Sequence, residues 1–490
     1  MKVNQDSKLL MIMTAIFVAT FMTSVETTIV TTALPTIISK LNGLSLQSWV
    51  FAMYLLTTAV RTPIYGKLAD RSGRKQIFIS GLIVFSVGSF LCGISTNIYE
   101  LILFRAVQGI GSGAIMPITF TIIADLFTYE KRSTMLALNN TAWGISALLG
   151  PLIGGFIVDQ LNWHWIFFIN VPLGVVVLIL VIFGFKEQPR KSEKRPIDFK
   201  GIFSLSGSLV FLLLLFQILG NQRVKLSVIG AMAAFFLAFL YLFCRAEKDA
   251  QDPIIPLTLF KNQLFTIQIA TALLLSGIQI GFQTYFPIWL QSIYKVSASV
   301  AGLAVTPSPV LWLISSFFVG ALVRRFAPKR ITGPIILIQL LFYVPLVIAG
   351  VKFPMPLFYI IAGVTGAGLG IIITMNTLIS QRVVPGNNVG TASSMLTLGR
   401  TLGQTIMTGV FGLIFNLSIN RSLMTHQNVN LVQVNKFISS TQKNNVSSNS
   451  VITMENIIVG GMHHIFAAVL ILFVLILLLN ISDKNKYAIN

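Results

Sequence analysis

The chain has 490 residues, of which 54% are hydrophobic and 10% charged, with a mean hydropathy of +0.82 and a formal net charge of +20. So little polar surface cannot cover the several cores a soluble protein of this length would need, so the chain belongs in a bilayer. The excess of Lys and Arg requires no nucleic acid, because bases beside anionic lipid headgroups account for it.

Apolar runs near the roughly 20 residues that a spanning helix needs recur throughout, and fourteen are predicted. Six lie at 9–34, 48–66, 76–95, 98–123, 133–157 and 165–185. A central pair follows at 201–220 and 226–244, then six more at 263–287, 299–322, 331–350, 357–380, 391–415 and 456–481. The expected units are a bundle over 1–200, a two-helix insertion with its flanking loop over 201–262, and a second bundle over 263–490. The segment 416–455, rich in Asn and Ser, reads as an ordinary solvated extracytoplasmic loop.

Positive charge in short loops is retained on the cytoplasmic side, and with these spans 24 of the 35 basic residues fall on the side of Met1 and 8 on the other. Both termini are therefore expected in the cytoplasm. Cys92 and Cys244 fall in spans and make no metal-ligand spacing, so neither a metal nor a disulfide is expected. The first run is longer than a signal-peptide core and should remain as a helix. No phosphate-binding loop is evident, which argues against a pump carrying its own ATPase, and no cofactor is expected.

Between the second and third runs, GKLADRSGRK at 66–75 packs five charges into ten residues. A weaker echo, GALVRRFAPK, sits at 320–329, an offset of 254. QGIGSG at 108–113 lies over TGAGLG at 365–370, an offset of 257. Two matches at nearly one offset indicate a duplicated six-helix half, an arrangement in which cargo binds between the halves.

GKLADRSGRK resembles the signature loop of the major facilitator superfamily, GxLxDRxGRK. LFRAVQGIGSG at 103–113, GPLIGG at 150–155, ETTIVTTALP at 26–35, WHWIFFINVPLG at 163–174 and GRTLGQT at 399–405 are similar to its fourteen-helix drug:proton antiporter branch. His164 stands where Arg is usual, and Glu26 where Asp is usual. The resemblance implies an all-α integral membrane protein of the major facilitator fold, with two six-helix bundles and two central extra helices. It also implies a multi-pass protein of a bacterial cell membrane, working by alternating access. Its partners would be small-molecule cargo, protons and lipid, and a monomer suffices.

In the family the signature loop holds the halves together on the cytoplasmic side. Gly66 would allow a neighbouring helix to approach, and Asp70 would receive a helix N-terminus, whose free amides favour a carboxylate. Arg71 and Gly73 complete the latch, and Arg74 is placed to reach Asp125. The alternative, that these charges only set topology, explains Lys67 and Lys75 but not Asp70.

Glu26 is the only acid well inside a predicted span, and a carboxylate in hydrocarbon is costly enough that it usually faces a cavity and does work. Arg105 is the expected partner. Proton coupling, contact with a cationic cargo, and a structural buried pair all fit these two residues. Arg61 and Arg400 are the other charges within spans, and snorkelling to the headgroups accounts for Arg400. Gly150, Pro151, Gly154 and Gly155 combine a missing backbone donor with close-packing residues; the family associates this motif with export. Met22, Gln279, Tyr285, Trp312 and Asn376 are candidates for a cavity that takes varied lipophilic compounds.

The expected function is proton-coupled export of small lipophilic or cationic compounds, with a dedicated exporter of one metabolite as the alternative. A membrane enzyme or sensor is disfavoured: the four His form no catalytic constellation, and no segment is long enough for a signalling domain.

Overall fold

The computed structural model describes residues 2–127, 129–187, 198–220, 224–250, 253–255, 259–384, 389–426, 429–439 and 448–483, and among these it forms helices and no strands. The first group comprises α1 (Lys2–Lys40), α2 (Gln47–Ser72), α3 (Arg74–Ile94), α4 (Ile98–Leu126), α5 (Tyr129–Gln160), α6 (Trp165–Phe168) and α7 (Asn170–Gly184). A pair follows, α8 (Phe199–Leu219) and α9 (Leu226–Asp249). The remainder comprises α10 (Gln263–Ile293), α11 (Ala298–Val305), α12 (Pro307–Ser316), α13 (Val319–Arg325), α14 (Pro328–Ile348), α15 (Met355–Arg382), α16 (Val389–Thr425), α17 (Leu431–Ser439) and α18 (Ser448–Ile481).

Helix starts follow local chemistry. Asn97 accepts a hydrogen bond from the Glu100 amide at 2.9 Å to cap α4, and Asp198 accepts from the Gly201 amide at 2.8 Å to cap α8. Proline opens α12 and α14, where its missing N–H costs nothing. Thirteen segments among the described residues are long and apolar enough to cross a membrane. The second predicted span, α2, is 26 residues long but is not one of them, and it carries Arg61, Lys67, Asp70 and Arg71.

α1 packs on α5 and α7, and α4 on α2 and α3; α12 packs on α15, and α10 and α14 pack on α18. α8 lies against α2 and α16 and carries α9 on its outer side through stacked Phe211 and Phe235, 5.0 Å apart. α9 buries only Phe243 and Glu247, and its exposed Phe235, Leu237 and Tyr241 suit a lipid-facing surface.

The glycine triplets show the duplication as packing. Gly109 and Gly113 of α4 press on α2, at Tyr54 and Thr58, while Gly111 presses on α3 at Phe85. Gly366 and Gly370 of α15 press on α12, at Ser308 and Trp312, while Gly368 presses on α14 at Gln339. Side chains at these positions would collide with backbone or buried groups of the facing helix.

Three expectations change. The run 299–322 is not one helix: Pro307 cannot donate to the preceding turn, and the chain breaks there and again at Phe317–Phe318. The run 165–185 is likewise split into α6 and α7 at Ile169. Among the described residues none comes within 4 Å of a side chain placed on Gly66. Finally, 416–455 is not simply a solvated loop. α16 runs on to Thr425, and α17 folds back with Val434 and Ile438 fully buried against α1 and α10. Asn430 and Gln433 start α17 by exchanging side-chain-to-amide hydrogen bonds of 2.8 and 2.9 Å.

Candidate functional site

Glu26 and Arg105 face each other from α1 and α4, both fully buried, with Arg105 Nη1 donating to Glu26 Oε1 at 2.5 Å. The second carboxylate oxygen accepts from Asn170 Nδ2 of α7 at 2.7 Å. Arg105 also donates from Nε to the Val50 carbonyl at 3.0 Å and from Nη1 to Gln108 Oε1 at 2.7 Å, and its guanidinium lies 4.3 Å from the Tyr54 ring centre. Ser89 of α3 ties the cluster together: its hydroxyl accepts from Gln108 Nε2 and Asn170 Nδ2, each at 3.0 Å, and donates to the Phe167 carbonyl at 2.8 Å.

Five helices thus converge on one ion pair. Removing one partner of such a pair would leave an uncompensated buried charge, a loss of about 3–5 kcal/mol. Arg105 Nη2 and Asn170 Oδ1 are buried without partners, so hydrogen-bonding capacity remains beside the carboxylate. Sequence reading found the pair but did not assign Ser89, Gln108, Asn170 or Tyr54 to it.

At the α2–α3 turn, Gly73 adopts φ +95°, a conformation that favours glycine. The carboxylate that receives a helix N-terminus here is Glu187, which accepts from the Arg74 amide at 2.6 Å and the Lys75 amide at 3.1 Å. Lys75 Nζ returns to the carbonyls of Ile182 and Phe185 at 2.8 and 2.7 Å. Arg74 pairs with Asp125 as expected and donates to the Thr121 carbonyl at 2.8 Å. The side chains of Asp70 and Arg71 lie outside the described residues.

GPLIGG is an interface on two sides. Gly150 and Gly154 press on Thr28 and Thr32 of α1, about half a turn and about one and a half turns beyond Glu26. Gly155 meets the backbone of Ala298 and Ser299 in α11, while Pro151 meets Gly302. One turn on, Asp159 caps α11, accepting from the amides of Ala298 and Ser299 at 3.1 and 3.0 Å and from Ser299 Oγ at 2.5 Å. At the same end Gln291 Nε2 donates to the Thr32 carbonyl at 3.0 Å, the Leu44 amide donates to Asn435 at 3.2 Å, and Asn416 Nδ2 donates to the Ser45 carbonyl at 2.8 Å. These contacts join the first group of helices to the last; Pro151 and Gly155 were singled out in the sequence, whereas Asp159, Gln291, Asn435 and Asn416 were not.

The five cavity candidates have these surroundings. Tyr285 lines a small cavity between α2, α10 and α16 together with Gln47, Ser48, Phe51, Thr284 and Phe411, where both polar atoms of Gln47 are buried without partners. Met22 is fully buried in the apolar core of the first group. Asn376 is fully buried and donates to the Gln268 carbonyl at 3.2 Å, and Gln279 keeps a buried, unpartnered oxygen. Trp312 lies beneath Arg400.

Comparison with known proteins agrees with this architecture. The chain is 34% identical over 422 residues to the multidrug transporter protein MdtP of Bacillus subtilis (strain 168), covering 85% of this chain and 77% of that one. It is 31% identical over 407 residues to the multidrug efflux pump SdrM of Staphylococcus aureus (strain N315), covering 82% and 88%. A bacterial homologue of the human lysosomal transporter Spinster superposes with a TM-score of 0.67 at 15% identity over 97% of this chain and 96% of that one. A D-xylose-proton symporter superposes with a TM-score of 0.61 at 15% identity over 95% and 97%. Residues 16–408 match the Major Facilitator Superfamily pattern, and the chain, a multi-pass cell-membrane transporter, belongs to that family.

Proposed function

We propose that the protein exports small lipophilic compounds in exchange for protons, with both termini in the cytoplasm and the first and last helix groups rocking about the cargo. The observation that carries this reading is the Glu26–Arg105 pair, fully buried where five helices meet. A carboxylate held by an arginine in a dry site exchanges its proton only when the surrounding helices rearrange, which is what coupling requires. The multidrug exporters similar to this chain support the direction of transport. One proton crossing roughly 100 mV supplies about 2.3 kcal/mol, enough for a cargo gradient near fiftyfold.

The test uses purified protein reconstituted in vesicles, with an imposed pH gradient and a fluorescent dye as cargo. Glu26→Gln should abolish gradient-driven accumulation while preserving dye-for-dye exchange, and Glu26→Asp should retain both. Gradient-driven accumulation by Glu26→Gln equal to that of the parent would sink the coupling role. Loss of exchange as well as accumulation in Glu26→Asp would identify the pair as structural.

A further inference from the structure

The geometry points to an anion-recognition site at Arg400 and Trp312, which gives the exported compounds an acidic group on an aromatic ring. This refines the export reading above by naming its cargo. Arg400 lies on α16, and its guanidinium carbon is 5.7 Å from the ring centre of Trp312 on α12. α16 packs against α2 and α12 packs against α5, so both helices border the first group. Arg400 Nε is buried without a hydrogen-bond partner, and no acid among the described residues pairs with it.

A second cation lies at the same level along the neighbouring helix. Arg61 is on α2, which runs antiparallel to α16: Ser48 meets Gly412 at one end, and Leu56 and Val60 share an apolar cluster with Leu398 and Leu402 further along. That register sets Arg61 level with Arg400. Arg61 is exposed beside Gly113 of α4 and makes no ion pair among the described residues. Glu26 cannot balance either charge, because Arg105 already neutralises it.

A half-buried, unpaired guanidinium whose Nε has no partner is costly, and its cost falls when a ligand brings the opposite charge. A guanidinium fork matches a carboxylate in two parallel hydrogen bonds, and the indole beneath it provides a stacking face for an aryl group. Cationic cargo would meet like charge here.

The probes are coumarin-3-carboxylate, its uncharged amide and ethidium, titrated against purified full-length protein by equilibrium dialysis. The parent should bind the carboxylate about tenfold more tightly than the amide, as expected for one charge-assisted bidentate contact. Arg400→Gln should bring that ratio to about one while binding ethidium at least as tightly as the parent, since a like charge has been removed. In the parent, the carboxylate and not the amide should slow modification of Arg400 by phenylglyoxal, read by mass spectrometry, a measurement that needs no variant to fold. Equal binding of acid and amide by the parent, a ratio unchanged in Arg400→Gln, or no protection of Arg400 would each overturn the site. Dialysis needs no gradient, so its failure leaves the Glu26 test standing, and failure of that test leaves this one standing.

Discussion

Lys295 occupies the turn between α10 and α11 with φ 55°, its ammonium donating to the Phe437 carbonyl at 2.7 Å and lying 3.2 Å from that ring's centre. Burial under α17 lowers its pKa to about 8, and Glu455 opposes the fall only partly. A lowered lysine pKa means that the docked position disfavours the charged form. Docking of α17 is therefore weakest below pH about 8 and tightens as pH rises from there toward the ordinary lysine value of about 10.4. Competitive acetylation followed by mass spectrometry should give Lys295 a midpoint near 8, and Lys295→Met should remove the pH dependence of proteolysis in the α17 segment. A midpoint at the ordinary lysine value would show that α17 does not cover it. Among single residues, charge in an apolar run was the legible signal, and it found Glu26 and Arg105. Ser89 and Asn170 were not legible, because neutral polar residues are common in these spans and only the tertiary arrangement brings these two to the carboxylate.

The α5–α11 contact ties the two helix groups at one end through a carboxylate on a helix N-terminus, favoured by free amides and the helix dipole. Asp159→Asn should weaken this closure about fivefold in population, the effect of one exposed dipole contact. Gly155→Leu should block it, because the added side chain would enter the Ser299 backbone. Spin labels at Gln160 and Val300 would report both variants as longer distances, and unchanged distances in Gly155→Leu would show that this contact does not hold the groups together. Among the helices, length and hydropathy made the long spans legible. The break at Pro307 was legible in principle, since proline removes a donor, but a run of apolar residues hid it. α17 was missed because nine amphipathic residues among Asn and Ser look like loop until α1 and α10 offer them an apolar surface. Its start signal, Asn430 with Gln433 three residues later, was present in the sequence.

For the whole molecule, the repeat read from two offsets proved to be a repeat of contacts, with each triplet pressing on the corresponding pair of helices. Motif spacing could reveal this because close helix approach leaves glycine behind wherever it occurs. The repeat is faithful in its packing and unequal in its charges. Glu26 and Arg105 belong to the first copy, whereas Arg400 and Trp312 belong to the second. On the proposed mechanism the two copies can then vary independently: substitutions around α12 and α16 would alter what is carried without touching Glu26 and Arg105. A hybrid joining the first copy of this chain to the second copy of a relative should keep this chain's pH dependence and acquire the relative's cargo range, as vesicle uptake over a panel of dyes would reveal. Inheritance of both traits from one parent would show that drive and selectivity are not separable. On this view the old duplication left two interchangeable frames, and divergence made one the motor and the other the filter.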